Sequence, residues 1–133
     1  MNAGTPLILL VEDDADTAAL YSALLSCEGL EVVCCAKGDE ARAWWERSPR
    51  RPDLVMIDVI LPDMNGLDLC REITASGRAG DKPAVMVLSA HGDPRTAGRS
   101  LRAGASAFLD KLRDLDRFVS TVQGLLSGAG APV

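Results

Sequence analysis

A doubly wound α/β sandwich, a parallel five-stranded sheet with five helices packed on its two faces, is predicted by three features of this sequence. Short apolar runs alternate with stretches of helical periodicity along the chain, the third and fourth runs are apolar throughout as doubly buried strands are, and two of the runs end in acidic residues. Right-handed crossovers give five parallel strands the common order 2-1-3-4-5 in a three-layer sandwich, so the first and third strands become neighbours where such sheets carry their chemistry.

The strands are expected at Leu7 to Val11, Leu30 to Cys35, Leu54 to Ile57, Ala84 to Leu88 and a short Ala107 to Leu109. Asp16 to Ser26, Asp39 to Arg47, Gly66 to Ser76, Pro94 to Ala103 and Leu115 to Leu126 carry helix formers with apolar residues three and four apart. Asp39 and Asp114 are read as N-caps, whose carboxylates can accept the unpaired N–H groups of a first turn, and Asp14 is available to cap the first helix. Pro94 suits a first turn, while Gly29, Gly77 and Gly104 suit helix ends. Adjacent helical residues lie about 100° apart, so Trp45, in line with Ala41, is placed inward and Trp44 toward solvent as a candidate partner contact. Arg50 and Arg51 read as a solvated loop.

At 133 residues the chain makes one domain, expected over 5–127, with the Gly- and Ala-rich residues 128–133 as a flexible tail. A formal charge of -5 with no clustered basic segment argues against a direct grip on nucleic acid. No apolar stretch approaches the roughly 18 residues of a membrane span, and no basic segment precedes the first apolar run, so a cytoplasmic location is expected. Cys27, Cys34, Cys35 and Cys70 form no C-x-x-C pair and, with His91 the single histidine, no zinc spacing; they read as reduced thiols.

The chemistry concentrates at strand ends. Asp58 follows Leu54-Val55-Met56-Ile57, and Glu12-Asp13-Asp14 follows the first run. Two carboxylates about 4 Å apart repel by about 4 kcal/mol at an effective dielectric of 20, so this cluster calls for protons or a cation. All-oxygen ligands select a hard ion, and few of them with open positions favour Mg2+. Asp13 and Asp58 are the proposed ligands, with Glu12 acting through water. Ser89 ends the fourth strand and Lys111 lies just beyond the fifth, so a hydroxyl and a cation converge on Asp58. That equipment suits charge developing on a phosphoryl group, with Asp58 as nucleophile.

These residues resemble the receiver domain of two-component response regulators, whose fold is flavodoxin-like. The resemblance rests on Val11-Glu12-Asp13-Asp14, Pro52 to Asp58, Leu61-Pro62-Asp63-Met64-Asn65-Gly66, Val87-Leu88-Ser89-Ala90 and Gly104 to Lys111, and it covers nearly the whole chain. It implies that Asp58 accepts a phosphoryl group from a histidine kinase or phosphotransfer protein, and that the Ile60 carbonyl joins Asp13 and Asp58 around Mg2+. Lys111 would pair with the phosphoryl group, Ser89 would move to hydrogen-bond it, and Phe108 would turn inward, altering a face read by a downstream protein or fused output domain. Apart from its own Mg-dependent phosphorylation and dephosphorylation, the domain would not be an enzyme. By the same resemblance, His91 and Ile60 flank the path of attacking water.

Receivers usually follow this lysine with a cis proline, whereas Leu112 stands here. A cis bond without proline costs about 3–4 kcal/mol, so a trans Lys111-Leu112 peptide and a rearranged loop before the fifth helix are expected. The segment before Phe108 is Ser106-Ala107, without the acids that often make intersubunit pairs, which points to a monomer when unphosphorylated. Among alternatives, a flavodoxin-like cofactor binder would want amides and hydroxyls where this chain has three acids. A haloacid-dehalogenase-type phosphatase would need an acid where Ile60 stands, and a serine hydrolase a G-x-S-x-G elbow around Ser89. A non-phosphorylated interaction module of receiver fold is the remaining alternative.

Overall fold

The computed structural model describes residues 4–76, 83–90 and 92–127. The strands are β1 (Leu7–Val11), β2 (Glu31–Cys35), β3 (Leu54–Asp58), β4 (Ala84–Ser89) and β5 (Ala107–Asp110). They form one parallel sheet in the order β2-β1-β3-β4-β5, as the sequence predicts. The helices are α1 (Ala15–Cys27), α2 (Gly38–Arg47), α3 (Gly66–Ser76), α4 (Pro94–Arg102) and α5 (Phe118–Leu126).

Side chains alternate across a strand, and the two halves of the core follow that alternation. Ile8, Leu10, Leu54, Met56, Met86 and Leu88 meet Tyr21 and Leu25 of α1 and Phe118 and Val122 of α5. Leu9, Val11, Val55, Ile57, Val85 and Val87 meet Ala41 of α2 and Leu69, Cys70 and Ile73 of α3. Both faces of the central strands are therefore buried, and their polar strand ends are the points where the sheet opens to chemistry.

Asp14 caps α1 by accepting the Thr17 N–H at 2.9 Å, Pro94 stands in the first turn of α4, and Gly29 and Gly104 adopt φ of 78° and 102°. Gly77, His91 and residues 128–133, which carry the expected helix end, rim histidine and tail, lie outside the described residues.

Asp39 does not cap α2. The N-cap position is Lys37, without a side-chain bond, and Asp63, from the loop after β3, accepts the N–H groups of Gly38 at 2.8 Å and Asp39 at 2.9 Å. Tertiary proximity supplies the cap that local sequence suggested at Asp39, and the Asp39 and Gly38 N–H groups hold the Asp63 carboxyl below its usual range. Asp114 does not cap α5 either. Its Oδ2 accepts the Asp110 N–H at 2.9 Å, so the chain first makes a 3-10 turn over Leu115–Arg117 and α5 begins at Phe118.

Trp44 and Trp45 are both half-buried against the α2/α3 side of the core, in place of one inward and one outward ring. The Arg51 guanidinium lies 4.5 Å above the Trp45 ring and donates to the Trp45 carbonyl at 2.5 Å, which accounts for the partial cover. Arg50 is likewise engaged, with the Thr5 carbonyl and with Asp53 at 3.4 Å. The two arginines thus fasten the loop before β3 rather than simply standing in water.

The corrected cap is testable. Asp63→Ala is expected to lower stability by about 1 kcal/mol, within the range for lost N-caps, while Asp39→Ala changes it by less than about 0.5 kcal/mol. Urea unfolding of both variants checks this, and the reverse ranking would contradict the Asp63 cap.

Candidate functional site

Four strand ends converge at the carboxyl end of the sheet. Glu12 and Asp13 follow β1, Asp58 ends β3, Ser89 ends β4, and Lys111 follows β5. Backbone pairing continues past the strands: the Glu12 N–H reaches the Cys35 carbonyl at 3.0 Å, and the Val59 N–H reaches that of Leu88 at 3.0 Å. The acidic positions therefore sit on hydrogen-bonded backbone.

Behind Asp58 the chain turns at once. The Ile60 N–H donates to Asp58 Oδ1 at 3.1 Å, Ile60 bridges to Asn65, and the Gly66 N–H reaches the Val59 carbonyl at 2.6 Å. A Cβ added at Gly66 would run into the Asp58 carbonyl oxygen, so only glycine lets α3 start this close. Sequence reading assigns Gly66 to the helix start; its packing on Asp58 becomes visible only when the backbones meet.

The carboxylate oxygens of Glu12, Asp13 and Asp58 lie within 4.8 Å of one another. Asp13 is exposed, whereas Glu12 and Asp58 are 3% and 7% exposed. Lys111 Nζ stands 2.6 Å from Glu12 Oε1 and 2.7 Å from Asp58 Oδ2. Glu12 Oε2 accepts the Asp14 N–H at 3.1 Å, while the buried Oε1 meets the Lys111 ammonium.

Burial pushes the Glu12 carboxyl above its ordinary value, assisted by the Asp58 charge and opposed by Lys111. Burial would lower the Lys111 ammonium, but its bonds to Asp58 and Glu12 outweigh that and hold it above the ordinary lysine value. One ammonium faces three carboxyl groups, so the site is short of positive charge. An all-oxygen donor set of this span, with one carboxylate exposed, fits a hard divalent cation.

Of the remaining residues singled out from sequence, Ser89 is buried and its carbonyl accepts the Lys111 N–H at 2.8 Å. Phe108 is half-buried against the core on the α2/α3 side. The Ile60 side chain is 70% exposed at the rim. A residue that sequence reading passed over is Asp110, whose Oδ1 accepts the N–H groups of Leu112 at 2.8 Å and Arg113 at 2.9 Å and whose Oδ2 accepts that of Gly92 at 3.0 Å. The signal available was its place, an acid at a strand end like Asp58.

Residues 8–123 match the family model for the response regulator receiver domain. The chain belongs to that family. It is 35% identical over 120 residues to the regulatory protein LuxO of Vibrio vulnificus, spanning 90% of this chain and 25% of that protein. It is 32% identical over 124 residues to the phosphate regulon transcriptional regulatory protein PhoB of Rhizobium meliloti, spanning 93% of this chain and 53% of that protein. The chain thus spans about a quarter to a half of the length of these curated relatives. Among solved structures, the signal receiver domain of a signal transduction histidine kinase from Syntrophus aciditrophicus superposes with a TM-score of 0.80 at 33% identity, covering 93% of this chain and 92% of that one.

As a receiver, the chain is a signalling domain of flavodoxin-like fold. Its Lys111-Leu112 peptide is trans, in agreement with the expectation from Leu112. Leu112 is 81% exposed, and its N–H, which proline would lack, joins the Asp110 turn.

Removing the ammonium should expose the cost of the acidic cluster. Lys111→Met is expected to destabilise the domain by about 3 kcal/mol at pH 8, in the range for a buried pair that loses one partner, and by less at pH 5. The Glu12 carboxyl already lies above its ordinary value, and losing Lys111 raises it further. A carboxyl higher in the folded than in the unfolded state loses stability as pH rises through that window. Urea unfolding at the two pH values decides, and an equal loss at both would contradict this account.

Proposed function

We propose that Asp58 is the phosphoacceptor of this receiver, taking its phosphoryl group from the phosphohistidine of a histidine kinase or phosphotransfer protein. The observation that carries the reading is the Lys111 ammonium 2.7 Å from Asp58 Oδ2 beside two further carboxylates. An Asp58 carboxylate oxygen forms the new bond to phosphorus while the bond to the donor nitrogen breaks, the donor histidine leaves with the electron pair and takes a proton, and an acyl phosphate results.

Mg2+, held by Asp13, Asp58 and the Ile60 carbonyl with Glu12 acting through water, would supply positive charge for the phosphoryl oxygens. Lys111 leaves Asp58 Oδ2 for a phosphoryl oxygen, Ser89 donates its hydroxyl to another, and Phe108 turns inward as the loop after Ser89 shifts. Phosphorylation adds about -1.5 to -2 charge and three strong acceptors. Inverting a 99 to 1 equilibrium needs about 5.5 kcal/mol of differential interaction, which a few charge-assisted hydrogen bonds supply.

In this reading the unphosphorylated domain is a cytoplasmic monomer with its folded unit over 5–127. It catalyses only its own Mg-dependent phosphorylation and dephosphorylation, and its altered face is read by a downstream protein or a fused output domain.

Intact-mass measurement after incubation with Mg2+ and a small phosphodonor tests the proposal. Wild type is expected to gain one phosphoryl group, lost on adding EDTA beforehand, and Asp58→Asn to gain none. A wild type that stays unmodified would favour a receiver-fold interaction module that works without phosphorylation.

A further inference from the structure

Asp110 lies at the junction of the two loops on which the proposed switch depends. It is the last residue of β5, paired in register with Ser89, the last residue of β4. Its Oδ1 accepts the N–H groups of Leu112 and Arg113, at 2.8 Å and 2.9 Å, closing a tight turn around Lys111. Its Oδ2 crosses to the other loop and accepts the Gly92 N–H at 3.0 Å. The ionised carboxylate is acceptor-only, so all three donors favour its charged form, and the N–H groups of Arg113 and Leu112, then that of Gly92, hold it below its usual range.

The approach on the far side is close. A Cβ at Gly92 would lie 2.8 Å from Asp110 Oδ2 and 3.1 Å from Phe108 Cε2. The backbone next to α4 therefore faces the Asp110 carboxylate and the Phe108 ring closely enough that a side chain there would displace one of them. Among the described residues, a backbone tie between the two loops near this level is the Lys111 N–H on the Ser89 carbonyl at 2.8 Å. Lys111 is thus held at its own amide and, through Asp110, at the two residues after it, while its ammonium reaches Asp58.

We propose that Asp110 is a positioning residue that locks the loop after Ser89 to the loop carrying Lys111, so that the two shift as one unit. The role rests on the phosphoacceptor reading of Asp58 for its functional consequence, but the lock itself is a property of the two loops. With the carboxylate shared, a displacement of the Gly92 backbone pulls on Lys111, and a displacement of Lys111 pulls on the start of α4.

Asp110→Asn separates the lock from the local turn. Asparagine makes the same kind of side-chain turn with the residues that follow, so Oδ1 can keep Leu112 and Arg113, but Nδ2 presents a donor to the Gly92 donor and that bond is lost. A chemical-shift cycle in the full chain reads the coupling. Lys111→Met is expected to shift the Gly92 amide resonance in the wild-type background and to leave it within half of that shift in the Asp110→Asn background.

With Mg2+ and a small phosphodonor, Asp110→Asn is expected to lower the saturating phosphorylation rate about tenfold while the Mg2+ concentration for half-maximal rate stays within about twofold. A merely structural role would not split the two. A Gly92 response to Lys111→Met that is equal in both backgrounds overturns the proposal, as does an unchanged saturating rate. A wild type that never gains a phosphoryl group would sink the Asp58 reading alone, and the chemical-shift cycle would still decide on Asp110.

Discussion

The contact on which the rest of the site depends is the Lys111 ammonium between Glu12 and Asp58, at 2.6 Å and 2.7 Å. The strand order forces β1 and β3 together, so the acids that end them share a small volume, two of them nearly buried. At such spacing each carboxylate pair repels by about 4 kcal/mol at an effective dielectric of 20. A cation from the far edge of the sheet makes the arrangement tolerable without neutralising it, and the remaining deficit of positive charge is what makes the site receptive to a divalent ion. The ammonium reaches the acids from a loop rather than from the strands that carry them.

Holding these groups in place falls to contacts that carry no chemistry. Gly66 lets α3 begin against the Asp58 backbone, and the loop between β3 and α3 also sends Asp63 to cap α2. The segment that turns the chain behind the phosphoacceptor candidate therefore also anchors a neighbouring helix. A change in this loop would be felt at the site and in α2 together, which ties the stability of one layer of the sandwich to the geometry of the acidic cluster.

The fold was legible because its signal is long and redundant: five apolar runs with helical stretches between them leave little room for another topology, and Asp58 and Glu12 mark strand ends within that frame. What stayed illegible depends on which partner the folded chain brings to each group, near or far in sequence. Asp39 carries every local mark of an N-cap, yet Asp63 takes the position because its loop passes the end of α2. Asp114 is preempted by the Asp110 N–H, and the Trp44-Trp45 pair is shared between core and surface because Arg51 covers one ring. In each case periodicity names the element, and a contact made only in the folded chain decides the detail.

The two halves of the site are built differently, and that difference locates its freedom to move. On the acidic side the backbone beyond the strands stays in ladder-like bonds, Glu12 to Cys35 and Val59 to Leu88, followed by the Ile60 and Asn65 bridge. On the other side, beyond the Lys111 N–H on the Ser89 carbonyl, the described residues of the loops are joined by a side chain, Asp110. Side-chain bonds of this kind can re-form after a small displacement, whereas a ladder shifts only by breaking register. Under the phosphoacceptor role proposed for Asp58, this division keeps the modified acid in place and lets the loop carrying Lys111 follow.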